Sequence, residues 1–144
     1  MKARVPAALL AFAALSSAAH AQTAPAPLPI HARTVAELAA ICAPGPTIGP
    51  VMRLEAIAYC QGFLTAAGQY HAAVHRPGAR RGAAQRPPVF CLPTPAPSVA
   101  QVGIGFAEWA ATQPQRAGEP ALEGVLRFAR ATYPCPTPAR RAAR

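Results

Sequence analysis

The cysteines at positions 42, 60, 91 and 135 are the residues best equipped for chemistry in this chain of 144. An even number of thiols points to two disulfides in an oxidising compartment, and four cysteines allow three connectivities. Zinc is the rival use, but no CxxC or HxxxC pair offers the usual ligand spacing. His71 and His75 stand one helical turn apart and could share a metal, yet zinc takes three or four protein ligands. The only other histidine past residue 21 is His31, in a proline-rich stretch, so the plainer reading of the pair is a solvated helix end. Acid–base chemistry would have to come from five glutamates, because the chain has no aspartate. Glu37 sits where a capping carboxylate belongs, Glu123 precedes Arg127 by four residues, and a Ser-His-Asp triad is impossible without Asp. No catalytic residue, cofactor site or metal site is therefore expected. The chain does not read as an enzyme.

The compartment follows from the first residues. MKARVPAALLAFAALSSAAHA opens with Lys2 and Arg4, runs apolar from Val5 to about Ala18 and closes on Ala19-His20-Ala21. That is the pattern of a secretory signal peptide over residues 1–21, with cleavage expected after Ala21. A membrane anchor would need about 20 strongly apolar residues, and no later stretch supplies them. The expected mature protein is periplasmic and has no membrane span. The whole chain carries a formal charge of +9; without Lys2 and Arg4, twelve arginines face five glutamates, leaving +7. Export argues against nucleic acid, the usual partner of a basic chain. The dominance of alanine, arginine and proline is the habit of a GC-rich bacterial genome and discounts part of that charge.

Helices must position these residues. Residues 22–33, QTAPAPLPIHAR, read as a proline-rich leader. Thr34-Val35-Ala36-Glu37 is a capping box, opening a helix over about 35–42 with Val35, Leu38 and Ile41 inward and Pro44-Gly45-Pro46 behind it. A second helix spans about 50–75, where Leu54, Ile57, Cys60, Leu64, Ala67, His71 and Val74 recur at three- and four-residue steps. Tyr59, Phe63 and Tyr70 mark an adjacent stripe, so this is the expected central helix. Gly62 and Gly68 weaken it by up to about 1 kcal/mol each, which close approach of a neighbouring backbone would explain. Residues 76–90, RPGARRGAAQRPPVF, form a basic loop carrying Arg76, Arg80, Arg81 and Arg86. Ser98 to Gln101 is a second capping box, opening a third helix over about 98–113 with Val99, Val102, Phe106, Trp109 and Ala110 inward. The fourth, about 119–134, presents Leu122, Val125, Leu126, Ala129 and Tyr133, with Glu123 and Arg127 an outward i,i+4 pair. Residues 137–144 are expected to be a disordered basic tail. The fold class is all-α: a compact bundle of four helices with two disulfides.

A core of about 100 residues is marginal without staples. Cys60 lies on the core face of the long helix, and Cys91 arrives just ahead of the third helix, which must return antiparallel to it. The expected pairs are Cys60 with Cys91 and Cys42 with Cys135, each worth roughly 3.5–4.7 kcal/mol by loop entropy.

Three segments stand in a telling order behind the signal peptide. They are YCQGFLTAA in the second helix, VFCLPTPAPSVAQV running on to FAEWAATQP, and LEGVLRFARATYPCP at the end. Together they make residues 34–136 resemble the Rap/Tai family of type VI secretion immunity proteins. The resemblance implies a periplasmic all-α protein whose partner is a cognate amidase toxin that cleaves peptidoglycan. It also implies a homodimer, and inhibition by inserting a loop into the toxin's active-site cleft. The matched residues are structural, so the contacts are placed in loops. First comes the turn from Gln113 to Glu119, with Gln113, Gln115, Glu119 and, at its tip, Arg116. Second comes the basic loop at Arg80 and Arg81, richer in arginine and proline than the family leads one to expect. A stapled scaffold with short preordered loops suits tight binding, because little entropy is lost on docking. Two other uses stay open for such a fold: a periplasmic chaperone, which would need a pH trigger, and a cell-envelope binder without a toxin partner.

Overall fold

The computed structural model describes residue 28, residues 31–76 and residues 87–136. The expected signal peptide, most of the leader, the 77–86 stretch with Arg80 and Arg81, and the 137–144 tail lie outside the described residues. The regular elements of the described residues are helices: α1 (Val35–Cys42), α2 (Pro50–His75), α3 (Val99–Ala111) and α4 (Ala121–Thr132), with a 3-10 turn at Pro114–Arg116 between α3 and α4. The all-α reading is borne out, and so are both capping boxes. Thr34 Oγ1 accepts from the Glu37 N–H at 3.3 Å, while Glu37 Oε2 accepts from the Thr34 and Arg33 N–H groups at 3.0 and 2.7 Å. Ser98 Oγ accepts from the Gln101 N–H at 3.2 Å, and Gln101 Oε1 accepts from the Ser98 N–H at 2.8 Å. Pro50 opens α2, at a position where a helix has no use for an N–H.

The shortest helix is the centre. α1 packs against the other three, most extensively against α3, and Val35, Leu38, Ile41 and Cys42 are all buried. The expectation that α2 is central is thereby corrected. Cys60, Leu64, Ala67 and His71 are buried as its spacing predicts, but Leu54 is 68% exposed and Ile57 36%. Length is the reason: the 26 residues of α2 reach about 39 Å against about 12 Å for α1, so its first turns overhang the bundle. Leu122, expected inward on α4, is likewise exposed, whereas Phe128, which the spacing argument passed over, is buried. Phe128 lies 5.8 Å from Phe106, 6.0 Å from Trp109 and 6.1 Å from Tyr133, ring centre to ring centre. These tilted and edge-on contacts are the geometry aromatic pairs prefer.

The disulfides are Cys42–Cys60 and Cys91–Cys135, which overturns the expected Cys60–Cys91 and Cys42–Cys135. With α1 lying against α2, its last turn brings Cys42 within 5.1 Å of Cys60, Cα to Cα. The Cys91 N–H donates to Tyr133 O at 2.9 Å, which lays the approach to α3 along the end of α4 and sets Cys91 4.7 Å from Cys135. A Cys60–Cys91 bond would need α2 and α3 to be the central pair, and α1 holds that place instead. The glycines are corrected in the same way. A Cβ on Gly62 or Gly68 would meet nothing within 4 Å. The close approaches are at Gly103, where a Cβ would sit 3.0 Å from Cys60 Sγ, and at Gly124, where it would overlap Val35 Cγ2.

Candidate functional site

The turn joining α3 to α4 is shaped by its own backbone. The Gln113 N–H donates to Ala110 O at 3.0 Å, closing α3, and the Arg116 and Glu119 N–H groups donate to Gln113 O and Arg116 O, each at 2.9 Å. Its far side holds the start of α1. The Val35 N–H donates to Glu119 O at 2.9 Å and the Ala36 N–H to Ala117 O at 3.0 Å. These are two of the four donors that a helix start leaves without intrahelical partners. The Ala121 N–H returns a bond to Arg33 O at 2.9 Å, and Thr34 and Pro120 pair as an antiparallel bridge. The turn is thus tied to the central helix.

Its side chains form a charged strut. Arg116 Nη1 donates to Glu119 Oε1 at 2.8 Å. Glu119 Oε2 is buried, with Arg127 Nε 3.0 Å away as an ion pair that lacks hydrogen-bond alignment. Arg127 also donates to Glu123, the i,i+4 pair that the sequence predicts. The bond to Glu123, and then the charge of Glu119, raise the Arg127 pKa above its ordinary value. Gln115 Nε2 donates to Gln113 Oε1 at 2.9 Å. Gln113, Gln115, Arg116 and Glu119 therefore form one connected surface, whose solvent-facing tip is Pro114, Gln115 and Gly118. Arg116 is half-buried and bonded back to Glu119. With Glu37 in its capping box, three of the five glutamates are engaged in holding structure.

At the other end of the long helix, His71 is buried and its Nε2 accepts the Val89 N–H at 3.1 Å. The Phe90 ring stacks on it at 4.0 Å between centres, and His75 lies at 4.5 Å. Burial, and secondarily the charge of His75, lowers the His71 pKa from its ordinary value. The reading of the His71 and His75 pair as a solvated helix end is thereby corrected for His71. Spacing also put His71 on the inward face, and its partner Val89 lies 18 residues along the chain. Nothing in the helical spacing marks Arg53 either. Its guanidinium donates to Pro44 O at 3.1 Å and Gly45 O at 2.9 Å, fastening the α1–α2 turn. The Tyr59 hydroxyl accepts the Ala32 N–H at 3.0 Å and holds the end of the leader on α2.

Residues 34–135 match the family model described as Rap1a immunity proteins. The chain belongs to this family. The Rap1a match spans all four helices, both disulfides and the 113–119 turn, and it bears out the resemblance seen in the sequence. No curated protein and no solved structure matches the chain. Membership in the Rap1a immunity family implies a toxin as partner. Among the described residues no helix is long and apolar enough to cross a membrane. No group of three or more His, Cys, Asp or Glu among them is placed to hold a metal ion.

Proposed function

We propose that this chain is a periplasmic immunity protein which binds and occludes the active site of a peptidoglycan amidase toxin delivered by type VI secretion. The observation that carries the reading is the immunity-family match over residues 34–135. Export after removal of residues 1–21 would put inhibitor and toxin in one compartment, and two disulfides suit an oxidising one. The inhibitor acts by filling a cleft and performs no reaction. Its inserting element is the Gln113–Glu119 turn, with Gln115 foremost and Arg116 and Glu119 bracing it. The basic stretch with Arg80 and Arg81 is the second contact. A turn already fastened to α1 and α4 loses little conformational freedom on docking, which favours affinity. A homodimer is part of the same proposal, and sedimentation velocity giving twice the chain mass would support it.

Co-expression with a peptidoglycan amidase toxin, sought first among the genes neighbouring this one, tests the reading. Cells directing that amidase to the periplasm should lyse alone and survive when the full chain is present. Removing residues 1–21 should abolish survival, and Gln115→Trp, at an exposed tip, should weaken binding without unfolding the protein. Survival with the form lacking residues 1–21 would overturn the proposed site of action. Equal binding by the Gln115 variant would remove the turn from the interface.

A further inference from the structure

We propose that His71 is a pH-sensitive clasp: its neutral ring fastens residues 87–90 to α2, and its protonated ring releases them. The geometry requires a neutral ring. Nε2 accepts the Val89 N–H at 3.1 Å, so it carries a lone pair and the ring hydrogen belongs on Nδ1. A proton added at Nε2 would face the amide donor with a second donor, and the bond would be lost. The same proton would place a charge on a buried ring stacked against Phe90 and 4.5 Å from His75, where desolvation is costly.

The neighbours do nothing to ease that cost. From α2 itself the ionisable neighbour is His75, which opposes a second positive charge. The segment packed on the ring contributes Val89 and Phe90, both uncharged, and Cys91 is committed to its disulfide. No charged group of α1, α3 or α4 among the described residues acts on His71. The 77–86 stretch, outside the described residues, has arginine as its only ionisable residue type. Burial and His75 both hold the ring neutral to lower pH than a free histidine, so release begins below about pH 6.5.

The release is local. Cys91 stays held by Cys135 and by its N–H bond to Tyr133 O, so residues 87–90 swing from a fixed foot. The freed segment bares the His71 and Phe90 ring faces, at the point where the chain leaves the arginine-rich stretch. The surface beside that stretch thereby differs between neutral and acidic surroundings. The inference stands whether or not a toxin is the partner.

Nuclear magnetic resonance on the full chain with both disulfides intact tests it. The His71 ring signal is followed through a pH titration, alongside hydrogen exchange at the Val89 amide corrected for its intrinsic pH dependence. Val89 protection should fall in step with the ring titration and share its midpoint. Phe106 and Leu38 amides should stay protected. His71→Gln supplies an acceptor that does not titrate and should keep Val89 protected at both ends of the range. His75→Gln should move the His71 midpoint upward. Val89 protection that persists once His71 is protonated would overturn the clasp. So would a ring that stays neutral until the whole fold is lost, an outcome readable in the unmodified chain if the Gln variant fails to fold.

Discussion

Gly124 and Gly62 are both helical glycines, and only their surroundings distinguish them. A methyl group at Gly124 would overlap Val35, which is fully buried in α1 and, being β-branched, has little rotamer freedom to retreat. Gly124→Ala should therefore cost about 1–3 kcal/mol in urea denaturation, the scale of overpacking. Gly103→Ala should also destabilise, because the Cys60 sulfur 3.0 Å away is fixed in a disulfide. Gly62→Ala and Gly68→Ala meet nothing within 4 Å and should stabilise by roughly 0.5–1 kcal/mol each. Ionisable residues make a second prediction at this scale. Backbone bonds from Arg33 and then Thr34 lower the Glu37 pKa from its ordinary 4.5. A lowered carboxylate contributes stability that is present above its unfolded pKa and fades as pH falls through its folded one. His71, also lowered, is neutral in both states above about pH 6.5, and below that the unfolded chain takes up the proton first. Melting temperature should therefore decline first below about pH 6.5 and again below about pH 4.5. His71→Gln should remove the first decline.

The elements depend on how their ends are satisfied. α1 has only eight residues, too short to persist alone. Its first turn is closed from two directions, by the Thr34–Glu37 box and by carbonyls of the 117–119 turn. Thr34→Ala removes one of these and should cost about 1 kcal/mol, a fall of roughly 4–8 °C in melting temperature for a domain of this size. The disturbance should reach the far turn as well. Faster hydrogen exchange at Val35 and Ala36 in that variant would show that the turn and the helix start hold each other in place. Unchanged exchange there would mean that the turn keeps its shape independently of the cap.

For the whole molecule, the two disulfides divide the work. Cys42–Cys60 joins α1 to α2 across 18 residues, and Cys91–Cys135 ties the approach to α3 to the end of α4 across 44. Loop entropy assigns about 3 kcal/mol to the first and about 4 kcal/mol to the second. The first is also buried beneath Gly103, so replacing both its cysteines with alanine forfeits packing besides. Each double alanine variant should melt well below the parent. Peptide mapping of the unreduced protein should recover 42 joined to 60 and 91 joined to 135.

Helix number and type, both capping boxes and the buried stripe of α1 were determined by the sequence alone, because each rests on contacts within about four residues along the chain. So did the exposed Glu123–Arg127 pair, which needs only helical spacing. Which helix sits at the centre was decided by tertiary structure, since periodicity marks a face without saying how much of its length a neighbour covers. Leu54 and Ile57 keep perfect register on α2 and still overhang. Cysteine pairing was decided in the same way: the crossing of α1 over α2 brought Cys42 to Cys60, and spacing within either helix carries no record of that crossing. The bracing of the 113–119 turn by α1, and the hold of His71 on Val89, join residues far apart in the chain. Their partners became neighbours only when the helices packed.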